Sequence, residues 1–438
     1  MPSLDVIKTY VDSVCRQIRW KKAHSRVCDE LTHHIIDSRD SYITLGLDEA
    51  EATDKAMADT GDAANVGMLF DRIHRPKPQW VMLAWVAGLL LLGLFISHFV
   101  LGPFVIGDRT LSTRLFWTAA GFAVMLVMYF ADFTLIGKYP RVISLAIILF
   151  AMVFIFFSPG GLIRFYHIQN IALMLPVPLA AVIYMTRNKG YKGIVLCSLT
   201  YGFLCLLTMT AVALSGFLHF VIIGAVILFV AVCRNWHGSG KIVSGLIVLV
   251  PPAAVAAALL ATLGPGHRMT RITAFLNPHA DPMGFGFLTL QTRRMLSESA
   301  LIGQGAAADT FFLPQSLMHS DLMLALLTAR FGWVAFAGVV GLLLVFIVGA
   351  VRRCVRQRSE LGFLVSLTVI VTLSVQAVLF VVYNLGFMFT MISLPLLSPG
   401  NFAMVINMGL IGLMLSVFRT GDVVSDGDVK EGAVWLKL

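Results

Sequence analysis

The sequence predicts an all-α fold: a polytopic membrane protein of about ten transmembrane helices with a small helical N-terminal cytoplasmic domain. Three observations predict it. Hydrophobic residues make up 58% of the 438 and charged residues 13%, with a mean hydropathy of +0.84, which is more apolar surface than one soluble core can bury. Apolar runs of roughly 17 to 25 residues recur along the chain, the length that crosses a bilayer as helix. Residues 1–78, by contrast, are polar and charged, with apolar positions at helical spacing.

Within that first unit, LDVIKTYVDSVCRQI, SRVCDELTHHIIDSRDSYI and DEAEATDKAMADTG predict three or four short helices, and Asp48 offers an N-cap ahead of an acidic first turn. No apolar stretch here precedes a small-residue cleavage site, so the first membrane helix is the expected targeting signal. The segments DELTHHI, GLDEAEA and ADTGD resemble the small cytoplasmic prefix domain found ahead of some bacterial permeases, which implies a docking or regulatory module. Cysteines at 15, 28, 197, 205, 233 and 354 show no CxxC or Cys/His spacing, so neither a disulfide framework nor a zinc site is expected.

Beyond the stiff linker Pro76-Lys77-Pro78, spans are expected near 80–102, 113–136, 141–158, 168–186, 193–215, 217–233, 242–263, 321–350, 361–383 and 400–418. Basic residues fall in alternate loops: Lys138 and Arg141, then Arg187, Lys189 and Lys192, then Arg234 and Lys241, then Arg352, Arg353, Arg356 and Arg358. Those loops and both termini are therefore expected on the cytoplasmic side. The predicted organisation is a prefix domain over 1–78, a membrane domain over 79–420 with a large external loop at 264–320, and a cytoplasmic tail over 421–438. Anchoring to membrane lipids accounts for the formal charge of +9, and no nucleic acid partner is expected. Asp132, followed by Lys138, is expected to snorkel or form an ion pair, and Pro176, Pro178, Pro251 and Pro252 are expected to kink their spans.

The external stretch from 268 to 321 holds the densest polar chemistry of the membrane region, with Arg268, Arg271, Arg293 and Arg294, and with Asp321 where the next span begins. A carboxylate and several arginines at a membrane surface suit chemistry on an anionic substrate. Asp321 equally suits a helix N-cap, and the arginines equally suit lipid headgroups. The Asn-Pro and Asp-Pro steps break helix, LTLQTRRMLSES has the spacing of a short amphipathic interfacial helix, and Gly303-Gln304-Gly305 is expected to form a mobile turn. Asn277, Pro278, Asp281, Pro282 and Gly284 are expected to shape the loop.

The segments RITAFLNPHADPMGFGFLTLQ, ALIGQG and FLPQSLMHSDLMLALLTARFGW, followed by NLGFMFTMISLPLLSPGNFAMVINMGLIGLMLSVFR, resemble in order and spacing the SEDS family (shape, elongation, division and sporulation) of FtsW/RodA/SpoVE-like proteins. The resemblance implies a peptidoglycan glycosyltransferase of the bacterial cytoplasmic membrane. Its substrate would be lipid II, the undecaprenyl-pyrophosphate-linked disaccharide peptide, and its partner a class B penicillin-binding protein transpeptidase, in elongation, division or sporulation. It implies Asp321 as the catalytic carboxylate, with Arg268, Arg271, Gln291, Arg293, Arg294, His319, Ser320 and Ser398 as substrate-binding positions. A divalent cation, Mg or Mn, is an alternative source of positive charge for the departing pyrophosphate. The sequence also departs from the family: IQNIALML keeps Gln169 but has apolar residues where an acidic and a basic position are usual, and MTAVALSGFLH lacks the usual aspartate. These departures leave open a catalytically degraded scaffold or regulator of envelope synthesis. A lipid flippase or transporter ranks third, because no internal repeat or midplane cluster of charge is present.

Overall fold

A computed structural model describes residues 2–21, 24–101, 111–157, 169–210, 214–261, 273–306, 320–387, 393–397 and 402–421, and no strand occurs among them. The chain divides into two units whose main parts are Met1–Pro78 and Gln79–Gly421.

The first unit has four helices, α1 (Pro2–Gln17), α2 (His24–Thr44), α3 (Glu49–Thr60) and α4 (Ala63–His74). Ile7, Val11 and Val14 lie along one face of α1 and meet Leu31 and Ile35 of α2 and Ala56 of α3 in the core, as the helical period requires. Asp48 and Asp62 cap α3 and α4, accepting the N–H groups of Ala50 (3.4 Å) and Asn65 (3.2 Å). Gly67 allows α4 to lie against α1, since a Cβ there would sit 2.6 Å from that of Gln17. A disulfide joins Cys15 to Cys28 across a Cα separation of 6.5 Å. Thirteen residues of spacing carry no signature of this bridge; it arises because α1 and α2 pack side by side, which corrects the expectation drawn from scattered cysteines.

The second unit contains α5 (Trp80–Ile96), which continues as a π-helical turn over Ser97–Leu101, then α6 (Leu111–Phe130), α7 (Pro140–Phe157), α8 (Pro176–Met185), α9 (Gly190–Thr210), α10 (Leu214–Cys233) and α11 (Lys241–Ala261). The short α12 (Phe287–Ser297) and α13 (Met323–Phe331) follow, then α14 (Trp333–Val355), α15 (Glu360–Asn384) and α16 (Phe402–Thr420). Nine helices among the described residues are long and apolar enough to cross a membrane, and Gln169–Met185 is a shorter apolar segment. This is an all-α, multi-pass membrane protein. The tenth expected span is the short one, and it is not a continuous helix: a 3₁₀ turn over Ala172–Met174 precedes Pro176, whose missing N–H ends the ladder from before. The expected span over 321–350 is likewise two helices, separated at Gly332.

Lipid tails are as apolar as leucine, so the helices associate by close packing and not by hydrophobic exclusion. The α6/α16 contact shows how. A Cβ on Gly412 would lie 2.3 Å from the Met125 carbonyl oxygen, and one on Gly121 would lie 3.1 Å from Met408 Cγ. The Thr118 hydroxyl, which donates to the Arg114 carbonyl at 2.8 Å, lies 3.8 Å from Met404 Sδ, and the Ser416 hydroxyl donates to the Ala131 carbonyl. Elsewhere Gly224 of α10 accommodates the Tyr201 ring, and Gly202 of α9 accommodates Pro251 of α11. The Asp132 carboxylate accepts the Thr134 N–H at 3.1 Å, just ahead of the one-turn helix Thr134–Lys138.

Because the Gly412 contact is to backbone, no rotamer change relieves it. Gly412→Val is expected to destabilise the protein by about 2 kcal/mol or more, read as a lowered thermal unfolding midpoint in detergent. Gly409→Ala is expected to leave that midpoint in place, since its Cβ would meet only Val124 Cγ1 at 3.4 Å.

Candidate active site

The element that carries Asp321 is short because its backbone cannot continue into α14. Gly332 has φ of +88°, and a Cβ there would lie 2.5 Å from the Leu301 carbonyl oxygen, so only glycine fits. The loop that presses against it satisfies the groups the break exposes. Gly303 and Gly305 donate their N–H groups to the carbonyls of Phe331 (3.1 Å) and Ala329 (2.9 Å), and the Ala300 and Leu301 carbonyls accept from Trp333 (3.2 Å) and Val334 (3.1 Å). The segment expected to be a mobile turn is therefore tied to a helix on both sides, because the two free helix ends need partners.

Asp321 sits in the 3₁₀ turn Ser320–Leu322 that opens α13, and it is 8% exposed. The cap position of α13 falls on Leu322. Asn384, at the last turn of α15 and fully buried, fixes this turn from both sides. Its Nδ2 donates to the Asp321 carbonyl at 2.9 Å, and its Oδ1 accepts the Ala325 N–H at 3.0 Å. Nδ2 also donates to the Phe380 carbonyl at 3.0 Å, so both amide N–H groups are used.

Arg293 is bound to the same stretch of chain. Its Nε donates to the Gly386 carbonyl at 3.0 Å, its guanidinium lies 5.1 Å from the centre of the Phe387 ring, and its Cγ would be 2.6 Å from a Cβ on Gly386, whose φ is +83°. A glycine is thus required at 386 both for its backbone and for the arginine above it. Residues 384–387 consequently hold the backbone of Asp321 and the guanidinium of Arg293 at one end of α15.

Upstream, the loop folds as a double turn. Asn277 caps the 3₁₀ turn Pro278–Ala280 through the His279 N–H at 3.2 Å, and the Asp281 carboxylate accepts the Phe285 N–H at 2.9 Å. A Cβ on Gly284 would lie 2.2 Å from Asp281 Oδ2, and one on Gly286 would lie 2.1 Å from the Pro278 carbonyl oxygen. These residues deliver α12, the amphipathic helix expected from LTLQTRRMLSES, to the end of α15.

Of the residues singled out from sequence, Asp321 and Arg293 are brought to one place. Gln291 is half-buried on α12. Arg294 points to solvent and pairs with Glu298 one turn on, at 3.0 Å, an exposed i,i+4 pair. Arg268, Arg271, His319 and Ser398 lie outside the described residues, and only the backbone of Ser320 lies within them. Three residues were missed. Asn384 opens the NLGF segment and carried a signal there. Arg114 and Arg330 carried none: they donate to the Ser97 and Phe99 carbonyls, both at 2.7 Å, so that guanidinium groups from α6 and α13 serve the π-helical turn of α5.

The described residues contain no group of three His, Cys, Asp or Glu side chains able to hold a metal ion.

Comparison with known proteins follows the same boundary. The FtsW/RodA/SpoVE cell cycle protein family matches residues 79–422. A probable peptidoglycan glycosyltransferase FtsW of Thioalkalivibrio sulfidiphilus is 32% identical over 219 residues, 48% of this chain and 52% of the relative. One of a Geobacter species is 27% identical over 224 residues, 47% of this chain and 60% of the relative. The matches thus span about half the length of these curated relatives. Among solved structures, a peptidoglycan synthase complex described as coordinating polymerisation and crosslinking aligns with a TM-score of 0.59 at 19% identity, over 78% of this chain and 98% of that one. Rod shape determining protein RodA of Thermus thermophilus aligns with a TM-score of 0.52 at 15% identity, over 78% and 97%. The fold is shared with both, and the family match covers far more than half of the 438 residues: the chain belongs to the FtsW/RodA/SpoVE cell cycle protein family.

Proposed function

We propose that this protein is a peptidoglycan glycosyltransferase that polymerises lipid II at the outer face of the bacterial cytoplasmic membrane, with both termini on the cytoplasmic side. The observation that carries the reading is the convergence on residues 384–387, where the side chain of Asn384 fixes the turn that bears the buried Asp321 and the carbonyl of Gly386 holds Arg293. The FtsW-like relatives, each named a probable peptidoglycan glycosyltransferase, point to the same chemistry.

In the reaction, the 4-hydroxyl of the acceptor sugar attacks the anomeric carbon of the donor. The new C–O bond forms as the bond to the polyprenyl pyrophosphate breaks, and the hydroxyl proton passes to Asp321 as general base. The leaving group gains negative charge as it departs and needs fixed positive charge in place. Arg293 fits that role, because its Nε and its ring contact hold the guanidinium while its Nη groups have no partner among the described residues. Arg268 and Arg271 are the further cations assigned to the diphosphate, and Gln291, His319, Ser320 and Ser398 to the sugars. A divalent cation, Mg or Mn, held largely by the substrate's own phosphates, would be the alternative source of that positive charge. A class B penicillin-binding protein is the proposed partner, as suggested by the peptidoglycan synthase complex that shares the fold.

A second reading, a catalytically degraded scaffold, draws on the fourth apolar segment. At the positions where the family pattern has an acidic and a basic residue, Ala172 and Leu175 are buried, and Gln169 Oε1 is buried with no partner among the described residues. The test is polymerisation of lipid II by the purified protein. Wild type is expected to form polymer, and Asp321→Asn to lose it by about 100-fold or more with an unchanged unfolding midpoint. A folded wild type that binds lipid II and makes no polymer would instead establish the scaffold.

Asn384→Leu keeps the volume but strands the Asp321 carbonyl and the Ala325 N–H. It is expected to cost about 2 kcal/mol in stability and to lower polymerisation together with it. Arg293→Lys retains charge but loses the bond to Gly386, and is expected to reduce turnover while the unfolding midpoint moves little.

A further inference from the structure

A groove of about 320 Å³ opens between the start of α5 and the end of α14, on the opposite side of the bundle's length from Asp321, and nothing in the proposed reaction uses it. Its walls are apolar: Met82 and Trp85 from α5, Val345 and Gly349 from α14. Gly349 opens the wall, since a Cβ there would reach only Met82 Sδ at 3.9 Å and the Arg353 guanidinium at 3.6 Å. One helical turn beyond Gly349 stand Arg352 and Arg353, on the same face by the i+3 and i+4 rule, and both line the groove.

The charge at this mouth is unbalanced. Arg353 Nη1 donates to the Gly349 carbonyl at 3.2 Å, and no carboxylate pairs with Arg352 or Arg353 among the described residues. Glu360, the nearest acid along the chain, is taken by Arg187. Two cations above an apolar slot at the end of a membrane span have the shape of an amphiphile with one anionic head: apolar chain below, phosphate above. A membrane helix from another protein would cover the slot but leave both guanidinium groups unmatched.

We propose that this groove is a binding site for an anionic diacyl phospholipid of the surrounding bilayer, with an acyl chain between α5 and α14 and its phosphate held by Arg352 and Arg353. The site follows from the membrane-spanning fold alone and stands whether or not the protein polymerises lipid II.

The experiment is native mass spectrometry of the delipidated protein in detergent, titrated separately with phosphatidylglycerol, phosphatidylcholine and inorganic phosphate. One phosphatidylglycerol per chain is expected to be retained in preference to phosphatidylcholine, with no displacement by inorganic phosphate. Replacing both arginines, Arg352→Gln with Arg353→Gln, is expected to weaken retention about tenfold, and the pair of lysine replacements to restore most of it. Gly349→Leu, which fills the slot and leaves the charges, is expected to weaken retention as well. Arg356→Gln with Arg358→Gln, in the same basic loop but outside the groove, is expected to have no effect. Equal loss in that control, full retention in Gly349→Leu, equal binding of phosphatidylcholine, or displacement by phosphate alone would each overturn the proposal. Every variant is compared at a matched unfolding midpoint, so that loss of fold is read separately.

Discussion

The site depends on one backbone constraint, the break at Gly332. A continuous helix from Asp321 into α14 would leave the loop over 298–306 without partners and would carry Asp321 away along the span. With φ of +88° at Gly332, the chain turns, and the carbonyls and N–H groups freed at the break are taken up by Ala300, Leu301, Gly303 and Gly305. Each such group left without a partner would cost about 1–3 kcal/mol where it is buried, so the loop and the break each stabilise the other. Asn384 then fixes the opposite end of α13, and Arg330 ties its length to α5. A nine-residue helix anchored at both ends and along its side is the rigid mount on which a carboxylate near the surface can be aimed.

The positions of the helices around that mount follow from small residues. Gly412 against the Met125 carbonyl and Gly202 against Pro251 bring backbones closer than any side chain allows, and those contacts hold a bundle whose outer faces meet lipid. The exposed face of α7, for example, presents Val142, Leu145, Leu149 and Phe156, which in water would mark an aggregation surface and in a bilayer is the expected exterior. The most buried of the nine candidate spans is α16, and its contact with α6 is the one where glycine, Thr118 and Ser416 occur together.

Much of this was legible in the sequence, and the reasons for the rest are physical. Hydropathy and length located the apolar segments, because a bilayer imposes one length on every helix that crosses it. Helix-breaking residues located the double turn at 277–286, where Asn277 and Asp281 accept local N–H groups and Gly284 and Gly286 leave room for them. The break at Gly332 was not legible, since the backbone that meets it, at Ala300 and Leu301, lies far upstream in the chain. Cys15–Cys28 was hidden for a similar reason: the pairing depends on how α1 and α2 meet. The role of Arg330 was hidden because the carbonyl it reaches, that of Phe99, belongs to another span far away along the chain.

What distinguishes Arg293 from Arg294 is what each guanidinium already touches. Arg294 is exposed and shares its charge with Glu298, so an anion arriving there would displace a neutralising partner in high dielectric and gain little. Arg293 is held by a carbonyl and an aromatic ring, neither of which cancels its charge. An anion beside it meets a full cation whose orientation is already set, in a setting with less water to screen it. The same distinction separates Arg352 and Arg353 from Arg187: a paired arginine stabilises its own helix end, whereas one that stands over an apolar slot without a carboxylate keeps its charge for a ligand.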